Sequence, residues 1–120
     1  MEEQSNPKPQ ADTIVYVDQY DPNILRPINR DQSRSAIGID VQDLPFSGVD
    51  VWNGFDFTWL NSKNQAEFAM LTIFVPCDSP HTIDSKSLKL YLLSFANSQF
   101  QSVNEIITTI KQDLSQLVGM

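Results

Sequence analysis

The chain has 120 residues, an ordinary apolar fraction and enough Leu, Ile, Val and Phe for one compact core, which excludes two full domains. Fifteen acidic against eight basic residues give a net charge of -7, which argues against a protein that grips phosphate backbones, so no direct nucleic-acid partner is expected. The single cysteine, Cys77, excludes an internal disulfide framework and a thiolate zinc cluster and suits a reducing cytosol.

Residues 1–13 hold almost no large apolar side chains and are read as a flexible tail. This start is acidic, polar and Pro-containing where a signal peptide would be basic and then apolar, and no run approaches a membrane span. The expectation is a soluble, cytoplasmic protein without membrane contact. Residues 14–45 are irregular, with turn formers at Asp21-Pro22, Pro27 and Asn29-Arg30-Asp31, and predict an arm laid across the domain. Its anchors would be Ile14, Tyr16, Ile24, Leu25 and Ile28. Residues 46–120 form the regular module.

Near Val51 a strand begins in which Phe55, Phe57 and Trp59 alternate with Asp56, Thr58 and Leu60, the period of two that marks one buried face. Asn61-Ser62-Lys63-Asn64 supplies turn residues, and the almost wholly apolar run from Phe68 to Val75 predicts a second strand covered on both faces. Together they predict an antiparallel hairpin whose aromatics Phe55, Phe57, Trp59, Phe68 and Phe74 belong to the core. A loop with Asp78, Pro80 and His81 follows. Two amphipathic helices are then expected, one from Leu88, Tyr91, Leu92 and Phe95, the other from Val103, Ile106, Ile107, Ile110, Leu114 and Leu117. Ser102 with Glu105 three residues on is a capping box at the start of the second. The fold class is α+β, hairpin then two helices.

The stretch Ile83-Asp84-Ser85-Lys86-Ser87-Leu88-Lys89-Leu90-Tyr91 opens a helix with hydroxyls, an acid and two lysines. Lys86 and Lys89 share a helix face, and the N–H groups of a helix start add positive potential, so this turn could hold a phosphate. The plainer alternative is that Asp84 or Ser85 caps the helix and the lysines are a solvated face. Cys77 has no Lys or Arg beside it and reads as a small apolar filler rather than a nucleophile. His81, without a partner motif, reads as a loop residue, and nothing spells a metal site.

Asp84-Ser85-Lys86-Ser87-Leu88-Lys89-Leu90-Tyr91 closely resembles the motif Glu-Ser-Lys-Ser-hydrophobic-Lys-aliphatic-Tyr of the queuosine-pathway nitrile reductases, which are NADPH-dependent 7-cyano-7-deazaguanine reductases. The likeness extends through Leu44-Pro45-Phe46-Ser47-Gly48-Val49-Asp50-Val51-Trp52, Leu60-Asn61, Asn29-Arg30-Asp31 and Phe100. It is to the amino-terminal half of the two-module form, with Asp84 where the family usually has Glu.

The resemblance implies a tunnelling-fold module, two strands, two helices and two further strands, of which the closing pair is missing from this chain, supplied by another chain or lost by truncation. Open sheet edges would then favour a homo-oligomer or poor stability in isolation. It implies reduction of the substrate's nitrile to an aminomethyl group by two hydride transfers from NADPH, after a cysteine thiolate adds to the nitrile and with a carboxylic acid moving protons. Ser85 and Lys86 would contact NADPH, and Ile83, Asp84 and Ser85 would border the deazaguanine pocket. Asn61 stands where single-module relatives carry the nucleophile, and Glu67, near the acid position, reads as an exposed hairpin charge. The chain therefore has no catalytic nucleophile of its own, and a carboxy-terminal catalytic module is the implied partner. The alternative is a non-catalytic or truncated binding module.

Overall fold

The computed structural model describes residues 19–40 and 42–120. The expected tail and the anchors Ile14 and Tyr16 lie outside the described residues. Among the described residues the regular elements are β1 (Pro27–Asn29), α1 (Arg30–Ser35), β2 (Val49–Leu60), β3 (Ala66–Pro76), β4 (His81–Ile83), α2 (Ser85–Leu93) and α3 (Val103–Val118), with short 3-10 turns at Pro22–Ile24 and Ser94–Asn97. β2 and β3 form an antiparallel pair, and β1 and β4 form a second one. The fold is α+β, and its hairpin and two main helices stand in the expected order.

Asn61 organises the hairpin turn. Its side-chain oxygen accepts from the N–H groups of Lys63 at 2.9 Å and Gln65 at 3.0 Å, while its amide nitrogen donates to Glu67 at 2.8 Å. Asn64 closes the turn at φ 63°, a left-handed conformation that Asn tolerates better than most residues.

A bulge breaks the alternation of β2. Gly54 pairs with Leu71 and Phe57 with Ala69, so Phe55 and Asp56 together oppose one residue, and Asp56 takes φ 58°. The core-facing positions are even before the bulge (Trp52, Gly54) and odd after it (Phe57, Trp59). Phe55 therefore leaves the core and is 70% exposed, against the expectation of one aromatic stripe. β3 is also not covered on both faces: Val75 is buried, but Phe68 is 69%, Met70 69% and Phe74 63% exposed. Apolar continuity along a strand does not say which face has a neighbour.

Tyr91 and Phe95 are fully buried at the centre of an aromatic cluster that also includes Tyr20, Phe57 and Phe100. α3 buries Ile106, Ile110, Leu114 and Val118 at i, i+4 spacing, each worth about 1.5–3 kcal/mol of apolar burial. Val103 and Ile107, expected on the same stripe, are at least half exposed. The Ser102 hydroxyl accepts from Glu105 N–H at 3.1 Å, as the capping box requires, whereas the Glu105 carboxylate reaches past the cap to Gln101 N–H at 2.7 Å. Gly119 ends the helix at φ 84°, the left-handed cap that glycine fills at least cost.

Of the described arm anchors, Leu25 is buried and Ile28 is 39% exposed, because β1 leaves its side chain outside the core. Tyr20 ties the arm down through its hydroxyl to Asp113 and its N–H to Ser98 at 2.7 Å. Tyr91 donates to the same Asp113 oxygen at 2.6 Å. Burial, reinforced by this carboxylate, raises both phenols well above their ordinary range. No helix among the described residues is long and apolar enough to cross a membrane.

Candidate functional site

β4 runs directly into α2, so the motif stretch is a strand-to-helix junction. Asp84 is its N-cap: the carboxylate accepts from Ser87 N–H at 2.9 Å, and Asp84 N–H donates to the Arg26 carbonyl at 3.0 Å. The buried Ser87 closes a ring around this junction. Its hydroxyl accepts from Arg26 N–H at 3.0 Å and donates to the Asp84 carbonyl at 2.9 Å. Capping was the plainer of the two sequence readings of Asp84. It does not use up the carboxylate, which offers lone pairs beyond the one turned to Ser87.

Ser85, Lys86 and Lys89 are exposed on the first turns of α2. Ile83 is 1% exposed and packs into the core, so it can border a ligand only through main-chain atoms. Ser85 and Lys89 also line a groove of about 360 Å³ between α2 and the bulged middle of β2, floored by Gly54, Phe57, Leu88 and Leu92. A second groove, about 500 Å³, lies between β3 and α3 and is lined mainly by Leu, Ile, Val and Phe side chains.

The other residues singled out in the sequence are dispersed. Asn61 is engaged in the hairpin turn and Glu67 is exposed beside it. Half-buried Cys77 follows β3 and donates its N–H to the Gly48 carbonyl at 3.0 Å. His81 is not in a loop. It opens β4 opposite Asn29, and its Nδ1 is buried without a hydrogen-bond partner among the described residues. No group of three or more His, Cys, Asp or Glu side chains among the described residues is placed to hold a metal ion.

In the sequence Arg30 stands out only as part of a turn and of the Asn29-Arg30-Asp31 stretch that shares the family likeness. Its guanidinium, 9% exposed, donates to Asp50 at 2.7 Å, the Ser79 hydroxyl at 3.2 Å and the Pro76 carbonyl at 3.2 Å. An arginine followed by an acid in a turn gives no hint of burial, so neither the turn nor the likeness announced the buried guanidinium and its three partners.

These features define an α+β module that presents a capped, lysine-bearing helix start beside an apolar groove. The family described as "Nitrile reductase, 7-cyano-7-deazaguanine-reductase N-term" matches residues 16–120, and the chain belongs to that family. Among curated proteins it is similar to the NADPH-dependent 7-cyano-7-deazaguanine reductase of Paraburkholderia phytofirmans, 48% identical over 88% of this chain and 38% of the relative. Proteins of the same name from Paraburkholderia xenovorans and Chromobacterium violaceum are 45% and 40% identical, each over 92% of this chain and 40% of the relative. The chain thus spans about 40% of the length of the relatives it matches.

Proposed function

We propose that this chain is the amino-terminal module of an NADPH-dependent reductase that converts the nitrile of 7-cyano-7-deazaguanine to the aminomethyl group in queuosine biosynthesis. The observation that carries the reading is the family match to the amino-terminal part, with the Asp84–Tyr91 motif standing at the start of α2. A tunnelling-fold module completed by strands outside this chain accommodates the same order of hairpin and two helices. The acidic charge and the lack of a long apolar helix among the described residues suit a cytoplasmic enzyme acting on a free base.

The donor set at the head of α2 fits a dinucleotide phosphate: an exposed hydroxyl, exposed ammonium groups and the positive end of a nine-residue helix. In this reading Ser85 and Lys86 hold NADPH, and when bound the cofactor supplies hydride. The main chain of Ile83 and the side chains of Asp84 and Ser85 border the deazaguanine, the Asp84 carboxylate accepting from its polar edge. The half-buried position of Asp84 strengthens such a bond by lowering the local dielectric.

A thiolate nucleophile and its proton donor come from the carboxy-terminal module, so the reaction centre lies between the two. Asn61 cannot substitute, since an amide forms no thioimide and this one is tied into the turn. Lys86→Ala in the chain combined with the carboxy-terminal part of the Paraburkholderia phytofirmans relative tests the assignment. The expected result is NADPH affinity weakened about tenfold, the effect of one charged contact of about 1.4 kcal/mol. Unchanged affinity would contradict it.

A further inference from the structure

We infer that Arg30 is a positioning residue for the ligand turn, acting through β4; this rests on the function proposed above. The Ile83–Asp84–Ser85 turn is the C-terminal continuation of β4, a three-residue strand whose ladder partner is β1. β1 runs into Arg30, whose N–H donates to the Pro80 carbonyl at 3.2 Å on the approach to β4. Its guanidinium then reaches three separate segments: Asp50 in β2, Pro76 at the end of β3, and Ser79 in the connection. Two further bonds lock the same frame: Ser79 donates to the His81 carbonyl at 2.7 Å, and Thr82 in β4 donates to Asp50 at 3.4 Å.

This network joins the short β1–β4 ladder to the long hairpin. At the other end of the ladder, the Arg26 main chain joins it to α2 through Asp84 and Ser87. The ligand turn is therefore suspended between two fixings, one at each end of the ladder, and Arg30 supplies the one on the hairpin side. Stability alone gives little reason for the arrangement, because Asp50 is 38% exposed and an ion pair open to solvent on one side contributes only about 0–1 kcal/mol. The planar fork has a geometric use: its fixed donors meet three acceptors on three segments at once, which an ammonium cannot do with the same spacing. Shifting the turn lengthens and misaligns the hydrogen bonds that it offers a ligand, which weakens binding because such bonds fade steeply away from their preferred distance and angle.

The test uses Arg30→Lys and Arg30→Met in the chain combined with the carboxy-terminal part of the Paraburkholderia phytofirmans relative, with Ile110→Val in α3 as a control for mild destabilisation. The readouts are kcat and KM for NADPH and for 7-cyano-7-deazaguanine, at a temperature where circular dichroism reports each variant folded. The expected result is at least a fivefold rise in both KM values for Arg30→Lys, more for Arg30→Met, with kcat within about twofold of the parent and Ile110→Val unchanged. Should Arg30→Met fail to fold, Arg30→Lys decides. Parental KM values in Arg30→Lys, or an equal rise in Ile110→Val, would overturn the inference. If the parent binds NADPH and Lys86→Ala weakens that binding, the functional reading stands and the Arg30 result judges the inference alone. A parent that binds no NADPH removes both.

Discussion

Asp84 has one observed role and one proposed role, and substitutions can separate them. It caps α2 through Ser87 N–H, and the proposed function gives its carboxylate to the deazaguanine. Asp84→Ala removes both roles, and loss of an N-cap costs about 1 kcal/mol, within roughly 0.5–2. For a folded unit of this size that lowers the melting temperature by about 4–8 °C. Asp84→Asn keeps the cap, since Asn caps as well as Asp, so its melting temperature stays within about 2 °C of the parent. The same change removes the charge, and a lost hydrogen bond to a charged group of about 1.5–3 kcal/mol weakens 7-cyano-7-deazaguanine binding roughly 10- to 140-fold. Differential scanning calorimetry reads the first quantity and isothermal titration the second, in the chain combined with the relative's carboxy-terminal part. Parental ligand affinity in Asp84→Asn would refute the binding role and leave Asp84 a cap alone. An Asp84→Asn melting temperature as low as that of Asp84→Ala would refute the account of the helix start.

Asn61→Cys, although it restores the residue type of the single-module nucleophile, is expected to give no NADPH oxidation by the chain alone. It should also cost about 1–2 kcal/mol in urea unfolding, because the exposed turn bonds to Lys63 and Gln65 are lost. Leu114→Ala should cost about 2–5 kcal/mol in the same assay, as an α3 side chain that is 5% exposed and packed in the core cluster. The fully buried Tyr91, whose phenol is raised by burial and Asp113, retains its proton in the folded state after the unfolded chain has lost it. Its stabilising contribution is complete below about pH 10 and falls above it by up to about 1.4 kcal/mol per pH unit; denaturant titration between pH 8 and 11 reads this, and Tyr91→Phe should flatten the decline.

Local chemistry carried far in the sequence. The Asn61–Asn64 turn, the Ser102 cap and the helical spacing of Leu88, Tyr91 and Ile106 are set by neighbours within four residues, and all three appear in the structure. What depends on distant pairing was hidden. The parity switch at Phe55 comes from one extra residue opposite Met70, and no feature of Asn53-Gly54-Phe55-Asp56 announces the bulge except a glycine. The exposed face of β3 reads like a core strand because its apolar residues look the same whether or not a neighbour covers them. The β1–β4 ladder is three residues long and starts at a proline, below the length at which alternation is visible.

The candidate site divides along the same line. Its helix start was visible as Asp84-Ser85-Lys86-Ser87, because caps and lysines act within one turn. Its support was invisible. Arg26 and Arg30 lie more than fifty residues from the motif, and only the folded chain brings Arg26 N–H to Ser87 and the Arg30 guanidinium to Ser79. The buried setting of Ile83 likewise comes from tertiary packing, so a residue quoted in the motif turns out to offer main-chain atoms rather than a side chain.

The most direct test of the central claim follows NADPH absorbance with 7-cyano-7-deazaguanine present, using the chain alone, the carboxy-terminal part of the Paraburkholderia phytofirmans relative alone, and the two mixed. Oxidation of NADPH is expected only in the mixture, with the aminomethyl product recovered there. Turnover by the chain alone would place a complete reaction centre, Cys77 included, within these 120 residues and contradict that claim.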